Sequence, residues 1–114
     1  MADVIDEAQR FTMPLRVVRG TASLAPDPLV SLTGRGVEID AVKLADDDPN
    51  DVVVRLHEAL GNRTRITARC DRPIAAASLC NLLEEPHTGI EVGDGICAVT
   101  VRPFEIATLR LTRR

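Results

Sequence analysis

Short apolar runs separated by turn-forming residues follow one another through almost the whole sequence after Pro14. Gly, Pro, Asn and Asp interrupt these runs about every eight to twelve residues, a spacing typical of all-β domains. Because no helical crossovers separate the runs, we expect antiparallel pairing in two packed sheets. The predicted fold is an all-β antiparallel β-sandwich of about seven to eight short strands, of the immunoglobulin-like type. The candidate strands are 15–20, 29–34, 36–44, 51–59, 63–70, 73–83, 95–102 and 104–111.

The segment RTRITARC, residues 63–70, shows the clearest alternation. Its even-numbered residues include Ile66 and Ala68, whereas its odd-numbered residues are arginines and one threonine. Successive side chains of a strand point to opposite faces. The segment is therefore predicted to be a half-buried strand.

Two other candidate strands change phase. In 36–44 the apolar residues move from odd to even positions, and in 104–111 they move from even to odd positions. Without correction, each strand would expose half of its apolar residues to water. We therefore predict one β-bulge near Ala41–Val42 and another near Ala107–Thr108, with Phe104 in the core.

Two dipeptides are typical of short hairpin turns, namely Gly61-Asn62 in the loop EALGN and Asp94-Gly95. The acidic loop DDDPND, residues 46–51, has enough oxygen ligands for Ca²⁺ but lacks the ordered spacing of an EF-hand. Since Asp, Pro and Asn are ordinary turn residues, this loop is also predicted to be a solvated hairpin connection.

Two polar pairs are candidates for acid-base chemistry. Glu38 and Asp40 share a strand face at about 7 Å, but nothing in the sequence supplies a cleft between their carboxyl groups. Arg55 and His57 share the outward face of another strand. A catalytic histidine needs an orienting carboxylate and a nucleophile, which the sequence does not place. Solvated or structural roles are therefore favoured for all four residues.

The chain offers no recognisable metal or phosphate motif. His57 and His87 are isolated, and the cysteines are scattered, so ligands at zinc-binding spacing are missing. The glycines at 34–36 and 93–95 lack the strand, spacing and helix of a phosphate-binding loop. We predict no cofactor in this chain.

Composition excludes further classes. Aromatic residues make up 2% of the chain, with two Phe and no Trp or Tyr, so an aromatic platform for a sugar ring is nearly excluded. The net charge of −3, with 14 basic and 17 acidic residues interspersed, provides no footprint for a nucleic acid. No run is long and apolar enough for a membrane span, and no signal-peptide pattern follows Met1.

The three cysteines, Cys70, Cys80 and Cys97, are odd in number and form no CxxC pair. Buried free thiols in a reducing compartment are the simplest interpretation, which predicts a cytoplasmic protein. A length of 114 residues suits a single domain. We assign residues 14–114 to the sandwich and residues 1–13 to an N-terminal tail or interdomain segment.

Three segments in order carry a resemblance: GVEIDAVKLADDDPNDVVVRLHEALGNRTRITA, then AAASLCNLLEEP, then ICAVTVRPFEIATLRL. Together they resemble the C-terminal β-sandwich region of glycoside hydrolase family 38 α-mannosidases, over roughly residues 28–112. His57 stands where that family often has Tyr, and Asn81 stands where Asp is usual. The matching positions are Lys43, Asp46, Arg55, Leu56, Glu58, Leu82, Leu83, Glu84, Pro103, Phe104, Glu105, Ile106, Thr108 and Leu109.

The resemblance implies a non-catalytic accessory domain that packs on a catalytic barrel absent from this chain. Enzymes of the family are retaining and zinc-dependent, with the nucleophile and metal ligands on that barrel, so zinc is expected in the parent enzyme. The implied partners are the catalytic and middle domains of the parent, and the resemblance leaves open a homo-oligomer through the parent enzyme. Six family-marking positions are expected to be structural: Arg55, Glu58, Glu84, Pro103, Phe104 and Glu105.

Two alternatives stay open. One is a freestanding carbohydrate-binding or protein-interaction β-sandwich. The other, with the least support, is a small metal-dependent or acid-base enzyme.

Overall fold

The computed structural model describes residues 2–12, 19–20 and 28–114. These residues form one helix and nine strands, and the predicted all-β sandwich is confirmed. Among them, no helix is long and apolar enough to cross a membrane. The elements are α1 (Ala2–Thr12), β1 (Val30–Thr33), β2 (Val37–Leu44), β3 (Asp51–Glu58), β4 (Thr64–Cys70), β5 (Ile74–Cys80), β6 (Pro86–Ile90), β7 (Val92–Gly93), β8 (Ile96–Val101) and β9 (Ile106–Arg113).

Two antiparallel sheets face each other. The four-stranded sheet has the order β1-β4-β8-β7, and the five-stranded sheet has the order β2-β3-β9-β5-β6. The central strands β3 and β9 supply most of the core on one side, and β4 supplies Ile66 and Ala68 on the other, as its alternation predicts. The fully buried side chains of this core include Val52, Val54, Leu56, Ile66, Ile74, Cys97, Leu109 and Leu111.

The bulge predicted in β2 exists, one residue earlier than expected. The register against β3 shifts between Ile39 and Ala41, which makes Asp40 the extra residue. After the shift, Val42 lies opposite the inward-facing Val54. The bulge therefore returns the apolar residues to one face, as the change of phase required.

The bulge predicted in β9 is wrong. The strand pairs with β3 in continuous register from Ile106 to Thr112, with Leu109 opposite Val54 and Leu111 opposite Val52. These leucines set the phase, so the even-numbered Ile106 faces outward and is 66% exposed. The placement of Phe104 in the core is also wrong, because its side chain is 69% exposed in the turn before β9.

Two of the predicted hairpin connections are confirmed, and a third is wrong. The acidic loop joins β2 to β3, which are paired, and Asp94-Gly95 joins β7 to β8 with positive φ at both residues. The loop EALGN is no hairpin, because β3 and β4 belong to different sheets and the loop carries the chain between them.

Strand boundaries differ at several places. The candidate strand 73–83 ends at Cys80, and the following residues form a turn that leads into the unpredicted edge strand β6. Residues 15–18 lie outside the described residues, while 19–20 are described and are not part of a strand. The N-terminal segment, expected as a tail, contains α1.

Candidate functional site

A buried glutamate ties two loops together at the end of β3. Glu58 is 1% exposed, and its carboxylate accepts N–H groups from Leu60 at 3.0 Å, Gly61 at 2.6 Å and Phe104 at 3.1 Å. The backbone N–H of Glu58 donates to the carbonyl of Glu105 at 3.0 Å. The loop that leaves β3 is thereby joined to the turn that precedes β9.

The surroundings of Glu58 also fix its ionisation state. Burial disfavours the charged form and by itself raises the pKa of the carboxyl group. The backbone N–H groups of Phe104, Asn62, Leu60 and Gly61 stabilise the charged form and leave the pKa below its ordinary value. Glu58 is therefore an ionised structural acceptor at neutral pH and has no proton to donate as a general acid.

The turn from Arg102 to Glu105 holds the Phe104 side chain out in solvent. The Glu105 carboxylate accepts the Arg102 backbone N–H at 2.8 Å and its guanidinium Nη2–H at 3.3 Å. Phe104 has φ +57°, a left-handed conformation that costs a bulky residue roughly 1–2 kcal/mol. Its ring passes so close to Gly61 that a Cβ there would lie 2.8 Å from Cζ. A glycine is therefore favoured at position 61, where φ is also +79°.

His57 has the carboxylate partner that the sequence did not place. Its Nδ1 lies 2.9 and 2.8 Å from the two carboxylate oxygens of Asp40, the residue that the β2 bulge inserts. A cavity of about 470 Å³ lies beside this pair, and its described lining residues include no Ser, Thr or Cys. The other lining residues are Ile5, Glu58, Ala59, Phe104 and Ile106. The pair joins β3 to β2, and the described lining residues supply no hydroxyl or thiol to complete a catalytic triad.

The turn between β5 and β6 is stabilised by Asn81. Its Oδ1 accepts the N–H of Leu83 at 2.9 Å and of Glu85 at 3.0 Å, and its amide nitrogen donates to the Glu85 carboxylate at 2.9 Å. The Glu84 N–H donates to the Asn81 carbonyl at 3.0 Å, with Glu84 at φ +66°. The turn is therefore a self-contained hydrogen-bonded unit. It leaves Leu82 and Leu83 exposed to 75% and 78%.

An ion pair links this turn to the opposite edge of the same sheet. The Lys43 ammonium lies 2.9 Å from the Glu84 carboxylate and 3.4 Å from Asp46. The hydrogen bond to Glu84 is the largest of the influences that raise the pKa of Lys43. Since Lys43 belongs to β2 and Glu84 follows β5, the turn bends over the outer surface of the five-stranded sheet.

The acidic loop is organised by an arginine of β9. The Arg110 guanidinium contacts Asp47 at 2.8 Å and Asp51 at 2.5 Å. The two carboxylates raise the pKa of Arg110, and Arg110 in turn lowers the pKa of Asp47. Arg113 donates to the carbonyl of Pro49 at 3.2 Å at the end of the same loop. No group of three or more His, Cys, Asp or Glu residues that could hold a metal ion occurs in the part of the chain that the structure describes.

The sequence matches a known domain family. The model described as "Glycosyl hydrolases family 38 C-terminal beta sandwich domain" matches residues 36–109, which include β2 to β8 and the first part of β9. The chain belongs to this family.

Two relatives carry the name Alpha-mannosidase 2C1. The human protein is 30% identical over 121 residues, and the mouse protein is 28% identical over 117 residues. Both matches cover 96% of this chain. The chain spans only 11% of the length of either relative.

The positions that carry the resemblance to family 38 contact one another in pairs. Lys43 bonds to Glu84, and Glu58 binds the turn that contains Phe104. Arg55 Nε lies 3.4 Å from the Thr108 hydroxyl oxygen. Segments far apart in the sequence, such as RLHE and PFEI, are thus adjacent in the fold.

The two departures from the family pattern both have partners. His57, in place of the usual Tyr, contacts Asp40, and Asn81, in place of the usual Asp, accepts and donates hydrogen bonds within its turn. Sequence reasoning missed Asp40 as a partner because a bulge places it. Asn81 could have been found, since Asn commonly binds the backbone two residues further on.

Proposed function

We propose that this chain is the C-terminal accessory domain of an α-mannosidase, packing on and supporting a catalytic barrel elsewhere in the same polypeptide. The observation that carries this proposal is the family 38 match over residues 36–109, in a chain that spans 11% of its α-mannosidase relatives. Most of such an enzyme lies outside this segment. The middle and catalytic domains are the proposed partners, and nucleic acid and membranes are not.

The chemistry of the candidate acids supports a non-catalytic role. Glycoside hydrolysis uses two carboxyl groups that face a substrate, one of which must supply a proton. Glu58 is committed to backbone N–H groups, and Asp40 is committed to His57. We propose that the parent enzyme is a zinc-dependent retaining glycosidase whose zinc is bound by its barrel. The described residues of this chain do not fit that metal.

We further propose that the family-marking positions serve the fold. Glu58, Phe104 and Glu105 belong to one hydrogen-bonded connection. Arg55 bridges β3 and β9, and Glu84 links the turn after β5 to β2. Pro103 lies in the turn that presents Phe104. In this proposal residues 14–114 are one sandwich domain, and residues 1–13 are an N-terminal tail or interdomain segment.

A cytoplasmic location belongs to the same proposal. Cys70, Cys80 and Cys97 are all free thiols, and two of them are buried. Such thiols suit a reducing compartment.

The test uses human alpha-mannosidase 2C1 shortened by the segment that matches this chain. Added in trans at micromolar concentration, the chain should bind the shortened enzyme and raise its melting temperature by several degrees, because a partner that binds only the folded form stabilises it. Absence of binding up to about 100 µM would contradict the proposal. The chain by itself should not hydrolyse an aryl α-mannoside, and zinc-dependent turnover by the pure chain would overturn the non-catalytic role.

A freestanding binding module is the second candidate, and one observation favours it. The Phe104 ring, which the sequence predicted to lie in the core, is exposed beside an apolar cavity. An exposed aromatic ring offers a flat apolar surface to a sugar ring. Calorimetric titration with mannose and mannobiose separates the candidates. Binding at millimolar or tighter affinity that Phe104→Ala abolishes would favour the module.

A further inference from the structure

The turn Asn81–Glu85 contains two consecutive leucines that are both exposed, the one such pair among the described residues. Leu82 and Leu83 are 75% and 78% exposed, although each could bury a large apolar area on contact with a partner. Single exposed apolar residues are ordinary, but an adjacent pair on a fixed turn is a feature of contact surfaces.

The turn is preorganised for such a contact. Asn81 satisfies two N–H groups of the turn, and the ion pair from Glu84 to Lys43 ties the turn to the sheet. Glu84 is held at φ +66°, which costs free energy that the surrounding bonds offset. Because the backbone that carries the leucines is held before contact, little backbone entropy is lost when a partner covers them.

The charges around the leucines indicate the character of the partner. Four carboxylates lie in or beside the turn, and the cations that contact them, among the residues that the structure describes, are Lys43 and Arg110. A partner surface that is apolar at its centre and basic at its rim would complement this arrangement. The four acidic residues are Asp46, Asp47, Glu84 and Glu85.

We propose that the Leu82–Leu83 turn is the docking element through which this domain contacts the preceding part of an α-mannosidase polypeptide, in an apolar socket with a basic rim. The inference rests on the proposed function and deepens it by naming the contact. Such a polypeptide supplies the occupant, since about nine tenths of the relatives' length lies outside the segment that this chain matches.

The test compares two double variants in the trans-binding assay with shortened human alpha-mannosidase 2C1. Leu82→Ser with Leu83→Ser should weaken binding roughly ten- to a hundredfold, as expected for the loss of two central apolar anchors. Val42→Ser with Leu44→Ser is the control, because it also removes two exposed large apolar side chains, at 39% and 47% exposure, from the face of β2 opposite to Lys43, and should leave the affinity within about twofold. The melting temperature of each isolated variant should stay close to that of the parent chain.

The outcomes separate the two proposals. Failure of the unaltered chain to bind would contradict the proposed function, whereas equal binding by the chain and the Leu82, Leu83 variant would overturn only the docking inference. Raising NaCl from about 50 to 500 mM should weaken binding several-fold, and salt-independent binding would contradict the basic rim. Self-association of the pure chain in analytical ultracentrifugation, lost in the leucine variant, would identify a second copy as the occupant and overturn the proposal.

Discussion

Two turns of this domain each hold a residue at positive φ, and different hydrogen-bond acceptors stabilise them. The turn from Arg102 to Glu105 and the turn from Asn81 to Glu85 each contain a residue other than glycine with positive φ, and each leaves large apolar side chains exposed. In the first turn the stabilising acceptor is the buried carboxylate of Glu58, whereas in the second it is the exposed side-chain amide of Asn81.

The difference determines how far a change in either turn spreads. Glu58 ends a central strand and lies next to the core, so the Phe104 turn, the loop EALGN and β3 share one set of bonds. Among the described residues, the side chain of Asn81 bonds only within its own turn, and the side-chain link from this turn to the sheet is the partly exposed ion pair of Glu84 with Lys43. We therefore expect damage to the first turn to destabilise the domain, and damage to the second to alter mainly its surface.

The largest effect is expected from Glu58→Gln. The neutral amide presents an N–H₂ group toward backbone donors and leaves buried N–H groups without an acceptor, so the melting temperature should fall by about 10 °C or more. Thermal unfolding followed by circular dichroism measures this change. Glu91→Gln, at an exposed position, is the control. If both variants lowered the melting temperature equally little, the Glu58 turn would be no more strongly coupled to the core than the Asn81 turn.

A smaller but clear loss is expected from Gly61→Ala. The added Cβ would lie 2.8 Å from the Phe104 ring, and the alanine must also adopt φ +79°. Together these two effects should cost about 2 kcal/mol of folding free energy. Urea unfolding gives the free energy. In a chain that already carries Phe104→Ala this contact is absent, so Gly61→Ala adds only the backbone strain. Additive effects of the two substitutions would therefore show that the ring does not press on Gly61.

Acid should weaken the Glu58 connection over a defined pH range. The pKa of Glu58 is lower in the folded chain than in the unfolded chain, so its contribution is present above the ordinary carboxyl pKa and is lost as pH falls through the lowered value. Arg110 lowers the pKa of Asp47, and Arg113 lowers the pKa of Asp71, so both carboxyl groups also lose their contribution to stability in acid. The melting temperature should drop by several degrees between about pH 5 and pH 3.5. Glu58→Gln should show a shallower drop, and an identical slope would exclude Glu58 as a contributor.

The smallest effect is expected from Glu84→Gln. It removes the charge pair with Lys43, whose side chain is 44% exposed while that of Glu84 is 20% exposed. A pair that is partly open to water contributes little, so the melting temperature should change by no more than about 3 °C. A loss as large as that of Glu58→Gln would mean that the Asn81 turn is also coupled to the core.

Local pattern predicted the elements whose environment is simple. The alternation around Ile66 and the change of phase in β2 both led to the observed structure, because one face of each strand is buried and register follows from that face. The edge strand β6 was missed because Pro86 and Gly89 are poor strand formers, which an edge position tolerates.

The errors arose where partners distant in sequence decide the outcome. Phe104 was placed in the core because it is apolar, yet Leu109 and Leu111 set the phase of β9, and the carboxylate of Glu58 holds the preceding turn. Gly61-Asn62 signals a turn, but the signal does not state which sheet the next strand joins. For the candidate site, the sequence marked Glu58 and Glu84 as notable without revealing which groups they bind.

The central position of β9 affects the order in which the domain can assemble. This strand lies between β3 and β5, although it follows them by some fifty and thirty residues in the sequence, as the pairs of Val54 with Leu109 and of Leu79 with Leu109 show. During synthesis, β3 and β5 emerge first, and each must keep an unpaired edge until β9 has been made. Such long-range pairing slows folding. The nascent domain is therefore most exposed to aggregation, and most dependent on chaperones, just before its last long strand arrives.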